Sequence, residues 1–391
     1  MKRKHFKIED LNNFAIEVLK KGGYSEEYAK ASAFALLEAD KRGIFSHGIA
    51  GGTGLEESVK RAGAAGTVDP SAKPKLMESK YPTIVVINAN GTPGHYTSLM
   101  AIDKVKEIAR KYGIGKVFVN NGNHFGAAGV WSEEIAKEGD LVGIVNCTTA
   151  ACVKPTGDDP EGINYTKGAG TKLRTGTNPE AISIPHKKGL ITLDMAYTRM
   201  AASYCIKSLK ANKLMKIPGY AADSEYNSTL DPKEVFTFDE NGRLIMSGSI
   251  FPLGSESAGY KGDGKLRIIE LAHTFGGGPL KVIPFGTKGK DRRVSHEFTA
   301  YTIDFLFERE EALEKINEVI EDYERNYFGP SSRWPGDRAH ACIKYAEKEG
   351  IPYSKGQIKT LRRAAEYVNL NLEDLLRPIS EKEYPMDLFK K

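Results

Sequence analysis

Two histidines in glycine-flanked loops have the most chemistry to offer. His47 lies in RGIFSHGI, just past the end of an expected helix. A side chain there can reach a pocket, and an imidazole with an ordinary pKa of about 6.5 exchanges protons at neutral pH. His124 lies in NNGNHFGAAG, after a strand and before a helix, where α/β sheets collect their ligands. Asp194 closes the apolar run GLITLDMA. A carboxylate is costly to bury there unless paired, and a paired one can orient and charge-stabilise a histidine. Lys261, between glycines in GYKGDG, suits a phosphate or a carboxylate. Each has a plainer reading: a loop histidine satisfying backbone groups, a polar residue capping a helix, an N-cap for the following helix, a solvated lysine. His5, His186 and His340 stand in polar settings and read as solvated.

Other chemistries find little support. There is no Walker A motif, and no GxGxxG follows a strand; GYKGDGKLR lacks the third glycine and comes late in the chain. A standard Rossmann domain is disfavoured. No HExxH and no repeated His/Asp spacing favours a metal hydrolase. Cys147, Cys152, Cys205 and Cys342 show no CxxC spacing, against both a disulfide framework and a cysteine zinc site. Lys+Arg number 56 and Asp+Glu 51, a net +5, with the signs interspersed rather than gathered into a nucleic-acid footprint. No apolar run approaches the roughly 18 residues that span a bilayer. The basic start MKRKHFKIEDLNNF lacks an apolar signal region. The expectation is a cytoplasmic protein acting on a small molecule, with no nucleic-acid or membrane partner and no metal.

The elements that must position these residues follow from periodicity. Residues 8–42 read as two helices, broken at Gly22-Gly23 and restarted at an N-cap, Ser25. YPTIVVINA, IGKVFVNN, LVGIVNCTT and GLITLDMA read as strands. MAIDKVKEIARKYG reads as a helix with Ile102, Val105, Ile108, Ala109 and Tyr112 on one face, and WSEEIAKEG as another helix. The alternation predicts a three-layer α/β/α domain with a mixed sheet, not of Rossmann type. Residues 154–176 form a long loop, 227–248 a hairpin turning at Asn241-Gly242, and 297–307 a further strand. Ser354 and Gln357 form a capping-box pattern before a C-terminal helix. Helices at both ends predict a discontinuous terminal domain, 1–80 with 308–391, around an α/β domain at 81–307.

In order and spacing, several segments resemble one family, the second type of malate/L-lactate dehydrogenase. They are RGIFSHGI with its SHG, the run to NHFGAAG at 94–129, GTNPEAISIP at 176–185, LDMA at 193–196, PLGSESAGYKGDG at 252–264 and WPGD at 334–337. Relatives include sulfolactate, ureidoglycolate and diketogulonate oxidoreductases and a cyclic-imine reductase. The resemblance implies a homodimer that moves a hydride between NAD or NADP and a 2-hydroxy or 2-keto acid, with the cofactor bound by the α/β domain at 81–307. It makes His47 the proton donor, with Ser46 and Asp194 relaying and orienting. His124 would lie beside the substrate, or act as the acid/base itself, with Thr148 and position 51 nearby. Thr177, Asn178, Pro179, Glu180, Ala181, Ile182, Ser183, Tyr260, Lys261, Pro335, Gly336 and Asp337 would hold the cofactor.

Three departures bear on the substrate. Gly51 stands where the family usually places an arginine for the substrate carboxylate, and a glycine suggests open space. LDMATS becomes LDMAYT, with Tyr197 and Thr198, and the 154–176 loop is long. Lys154 and Arg174 are candidate replacement cations. The alternatives are the same fold reducing a cyclic imine or a bulkier or uncharged carbonyl, and a nucleotide binder without turnover. Retention of Ser46, His47, His124 and Asp194 argues against the last.

Overall fold

Glycine and serine divide the N-terminal segment as the spacing predicts. Helix Ile8–Lys21 buries Leu11, Phe14, Ala15, Val18 and Leu19 along one stripe. Gly23, at φ +94°, turns the chain. Ser25 Oγ then accepts from Tyr28 N at 3.2 Å and starts helix Glu26–Lys41. In this computed structural model the described residues are 2–63, 66–156, 172–240, 244–254, 259–283, 294–383 and 385.

Packing divides the chain into two compact units. The first comprises Met1–Val145, Ala181–Asp194 and Phe298–Lys391; the second, Asn146–Glu180 and Met195–Glu297. The expected domain boundaries after residues 80 and 307 both fall inside the first unit. There, helix Glu26–Lys41 is alanine-rich and buried on several sides, so other helices approach it closely. It packs on Ile8–Lys21, Gly94–Tyr112, Ala128–Ala136 and Asp337–Glu349. The chain ends share a core in which Phe6, Leu11 and Phe14 meet Tyr353, Leu361 and Leu372. Each buried Leu or Phe contributes roughly 1.5–3 kcal/mol. The Ser354–Gln357 capping box is present and starts helix Lys355–Tyr367, which packs on helix Leu55–Ala62. Strand Lys2–Phe6, which the helical reading of this end missed, pairs antiparallel with Ile351–Tyr353 and Ser380–Glu383.

A seven-stranded mixed sheet runs in the order Lys75–Met77, Ile84–Asn88, Ile114–Gly122, Val294–Thr302, Leu141–Cys147, Glu180–His186, Gly189–Met195. The first pair is antiparallel and the second parallel. The late strand read at 297–307 is Val294–Thr302 and lies in the middle; residues 303–307 are outside it. Helix Gly94–Tyr112 packs on Ile114–Gly122 and buries Ile102, Val105, Ile108 and Ala109, while Tyr112 is exposed, contrary to expectation. His5, expected in solvent, is fully buried and bonds the Tyr345 hydroxyl at 2.8 Å.

The second unit has its own core, including Val153, Cys205, Val235, Phe236, Ile250 and Leu266. Strands Phe236–Phe238 and Leu244–Met246 pair as the sequence suggested; the Asn241-Gly242 turn lies outside the described residues. The 154–176 loop is described at its ends, where Val153 bridges Thr175; residues 157–171 lie outside the description. Helix Gly259–Phe275 is the longest of this unit.

Candidate active site

The His47 loop is built from hydrogen-bonded turns and glycines. His47 N bonds Ile44 O at 2.9 Å, Gly51 N bonds Gly48 O at 2.9 Å, and Leu55 N bonds Ile49 O at 2.9 Å. Asp40, in the last turn of helix Glu26–Lys41, anchors the loop by accepting from Ile49 N at 2.7 Å and from the Tyr353 hydroxyl. Burial pushes the Asp40 carboxyl up to about 7, against the opposing pull of the Tyr353 and Ile49 donors. The coil is so tight that a Cβ at Gly48 would meet the Asp40 carboxylate at 1.8 Å. One at Gly51 would lie 2.5 Å from Ser46 O, and one at Gly54 2.2 Å from Gly48 O. The open space expected at Gly51 is absent: backbone fills it.

This coil presents Ser46 and His47 side by side, with Ser46 Oγ 2.8 Å from His47 Nδ1. The imidazoles of His47 and His124 stack, centroids 5.6 Å apart and planes inclined by 17°. His124 Nδ1 accepts from Gly126 N at 3.1 Å, which leaves its proton on Nε2 when the ring is neutral. Buried Asn123 donates to Gly91 O at 2.7 Å and Thr92 O at 3.1 Å and fixes the strand end carrying His124. Asp194 is exposed, so the burial argument made for it does not apply. Its Oδ2 accepts from Gly129 N at 3.0 Å, in the first turn of helix Ala128–Ala136. It thus caps this earlier helix, not the one that follows it.

Arg42, just past helix Glu26–Lys41, donates to Glu133 at 2.6 Å, and His340 faces the same carboxylate at 3.4 Å. The Pro335–Asp337 turn lies against strand Gly189–Met195, with Thr192 N donating to Pro335 O at 3.0 Å. Ala181 and Ser183 are buried in strand Glu180–His186, and the Ser183 hydroxyl bonds Ser132 and Thr192.

In the second unit, buried Asn178 accepts from Thr149 N at 3.0 Å and donates to Leu266 O at 3.2 Å, which orders the Thr177–Glu180 segment. Glu180 takes the Tyr197 hydroxyl and, at 3.1 Å, Lys265 Nζ, so the departure at Tyr197 has a partner. Thr148 is buried and lies 3.1 Å from Ser295, which bonds His273 at 2.7 Å; His273 bonds Asn146 at 2.6 Å. Tyr260 and Lys261 are exposed on the first turn of helix Gly259–Phe275. The candidate replacement cations are engaged elsewhere: Lys154 donates to Ser224 O at 2.6 Å, and Arg174 pairs with Glu270 at 2.6 Å.

Sequence reasoning missed Asp40, Arg61 and Asn123, and left His95, beside a glycine-rich segment, open. Asp40 carried a signal, a carboxylate inside the alanine-rich face of ALLEADKRG. Arg61 carried none, since EESVKRAG reads as a solvated helix face. In the fold Arg61, His95, Asn123 and His124 line one small cavity. Among the described residues no three His, Cys, Asp or Glu gather as a metal site, and no helix is long and apolar enough to cross a membrane.

A family model described as malate/L-lactate dehydrogenase matches residues 6–362. The chain belongs to the malate/L-lactate dehydrogenase family. It is 30% identical over 372 residues to the malate/(S)-sulfolactate dehydrogenase of Methanothermus fervidus, covering 93% of this chain and 98% of that one. It is 29% identical to the L-sulfolactate dehydrogenase of Methanocaldococcus jannaschii, over 95% of this chain and 99% of that one. The solved structure of the sulfolactate dehydrogenase from M. jannaschii superposes with a TM-score of 0.76 at 26% identity, covering 95% of this chain and 99% of that one. The fold is the mixed α/β architecture of these oxidoreductases, as the motifs implied.

Proposed function

We propose that this family member is a nicotinamide-dependent oxidoreductase that interconverts a 2-keto acid and a 2-hydroxy acid, with His47 as proton donor and acceptor. The observation that carries this reading is the Ser46–His47 contact at 2.8 Å beside the stacked ring of His124. With Ser46 Oγ accepting from Nδ1–H, Nε2 is the nitrogen that exchanges a proton. In reduction, protonated His47 gives the Nε2 proton to the carbonyl oxygen as it becomes an alkoxide; in oxidation the neutral ring takes it back. His124, with Nδ1 held by Gly126, offers Nε2–H to a substrate oxygen. Asp194 steadies the start of helix Ala128–Ala136, and we assign it the orienting role towards His47.

The residues present fit the cofactor. The first turn of the 17-residue helix Gly259–Phe275 offers an exposed aromatic ring at Tyr260 and a cation at Lys261, with open space over Gly264. A ring, a cation and a helix N-terminus suit a base and phosphates. In the second unit, Tyr260 and Lys261 with the ordered Thr177–Glu180 segment are the residues we assign to holding it; for the Pro335–Asp337 turn of the first unit that role rests on the family resemblance alone. When bound, the nicotinamide supplies or takes up the hydride.

The dinucleotide is NAD or NADP, and we assign the protein to the cytoplasm as a homodimer. The case for a bulkier carbonyl rested on vacated volume at Gly51, which backbone fills; that for a cyclic imine or an uncharged carbonyl rested on the missing arginine there and stands as the alternative reading. A fluorescence titration with NADH and NADPH, followed by turnover of pyruvate, oxaloacetate and sulfopyruvate, tests the reading. Binding of a reduced cofactor without added metal and turnover of at least one of these acids are expected. Binding with no turnover of any 2-keto acid would sink it.

A further inference from the structure

The cavity beside His124 has a volume of about 10 Å³, room for about one oxygen atom. Its lining includes Thr53, Arg61, His95, Asn123 and His124. Two buried polar atoms among the described residues have no hydrogen-bond partner here: Thr53 Oγ1 and His95 Nε2. Arg61 is only 8% exposed, an uncommon setting for a guanidinium. Its Nε bonds Glu57 at 3.1 Å, one turn back along helix Leu55–Ala62, and this contact sets the direction of the side chain. His95 is held neutral, lowered to about 3 by burial first and then by the charges of Arg61 and His47. Glu57 already pairs with one edge of the Arg61 guanidinium, but two unpartnered polar atoms on residues lining the same vacancy are costly unless a group with hydrogen-bonding oxygens enters.

We propose that Arg61, with Thr53 beside it, receives the acid group of the substrate. The inference rests on the keto-acid reading above and names the residues that anchor its substrate. A guanidinium is a common partner of a carboxylate, one oxygen of which the vacancy admits, and residue 51 has no room to supply an arginine. The GGTG coil closes that route and delivers Thr53 to the cavity wall, while the next helix delivers Arg61. Neutral His95 lines the same vacancy without adding charge. The anchor lies next to His124, one ring away from the proton-exchanging His47.

Oxamate, a carboxylate with the outline of a small 2-keto acid, is the probe. It is titrated calorimetrically into the full-length protein, with and without NADH or NADPH. Wild type should bind it. Arg61→Met should weaken binding about ten- to a hundredfold, the scale of a lost charge-assisted contact, and Arg61→Lys should weaken it less. Cofactor affinity should not move in either. Thr53→Val is the second arm. Its hydroxyl has no partner to lose, so the thermal midpoint should hold or rise while oxamate binds several-fold more weakly. Wild type that binds no oxamate, or an unchanged Kd in either folded variant, Arg61→Met or Thr53→Val, overturns the proposal. The keto-acid reading fails separately, if oxamate binds through Arg61 yet no 2-keto acid is turned over with either cofactor.

Discussion

At the scale of single residues, chemistry and packing make separable demands on the His47 loop. His47→Ala should lower turnover by about two to four orders of magnitude, the usual range for a lost general acid, with little change in cofactor affinity. A larger loss in His124→Ala than in His47→Ala would transfer the acid role to His124. Gly51→Arg should harm the protein on every substrate, because its first side-chain atom would lie 2.5 Å from Ser46 O; overpacking of this kind costs about 1–3 kcal/mol or more. A soluble Gly51→Arg variant with an unchanged melting midpoint would contradict that. Asp40 ties the loop to pH. Its folded value of about 7 is above its ordinary 3.8, so between these values the folded chain holds a proton that the unfolded chain has lost. The stability this group contributes is complete below about pH 4 and is lost as the pH rises through about 7, by up to about 1.4 kcal/mol per pH unit. Asp40→Asn should flatten that slope in urea titrations between those limits. Asp40 was visible in the sequence only as an oddity; Arg61 was not visible at all, because nothing local in EESVKRAG says that its face meets His95.

Among elements, the helices were legible and the sheet only partly so. Helix signals are local: Gly22-Gly23 stops one helix, Ser25 starts the next, and Ser354 with Gln357 starts another. Strand partners are not local. Strand Lys2–Phe6 pairs with residues beyond 350, and its lysine-rich sequence has no apolar alternation. Strand Glu180–His186 turns Ala181, Ser183 and Pro185 inward, residues too small or polar to signal a buried face, and its sequence was read only as a cofactor segment. The same separation in sequence hid Asp194's role at helix Ala128–Ala136. Asp194→Ala should cost about 0.5–2 kcal/mol as a lost cap and also reduce turnover. Asp194→Asn keeps an acceptor for Gly129 N, and should reduce turnover less than His47→Ala does. A thermal midpoint in Asp194→Ala equal to that of wild type would remove the cap from this account.

On the scale of the whole molecule, helix Gly259–Phe275 carries a second feature beside Tyr260 and Lys261. Ile268, Leu271 and Phe275 follow one stripe and are 61%, 60% and 92% exposed. A contiguous apolar stripe of this kind is where the homodimer proposed above would be expected to pair. Phe275→Glu, or Leu271→Glu with it, should shift the protein from dimer to monomer in sedimentation equilibrium. A monomeric wild type at micromolar concentration would remove that assignment.

Strand Val294–Thr302 lies between Ile114–Gly122 and Leu141–Cys147, and this order has a consequence for biosynthesis. Until about residue 300 leaves the ribosome, the two strands that will flank it each present an unsatisfied edge, an invitation to pair with another chain. Non-local closure of this kind slows folding. Nascent chains stalled before residue 294 should therefore lean on chaperones and stay protease-sensitive, and resistance should arrive abruptly once the central strand has emerged.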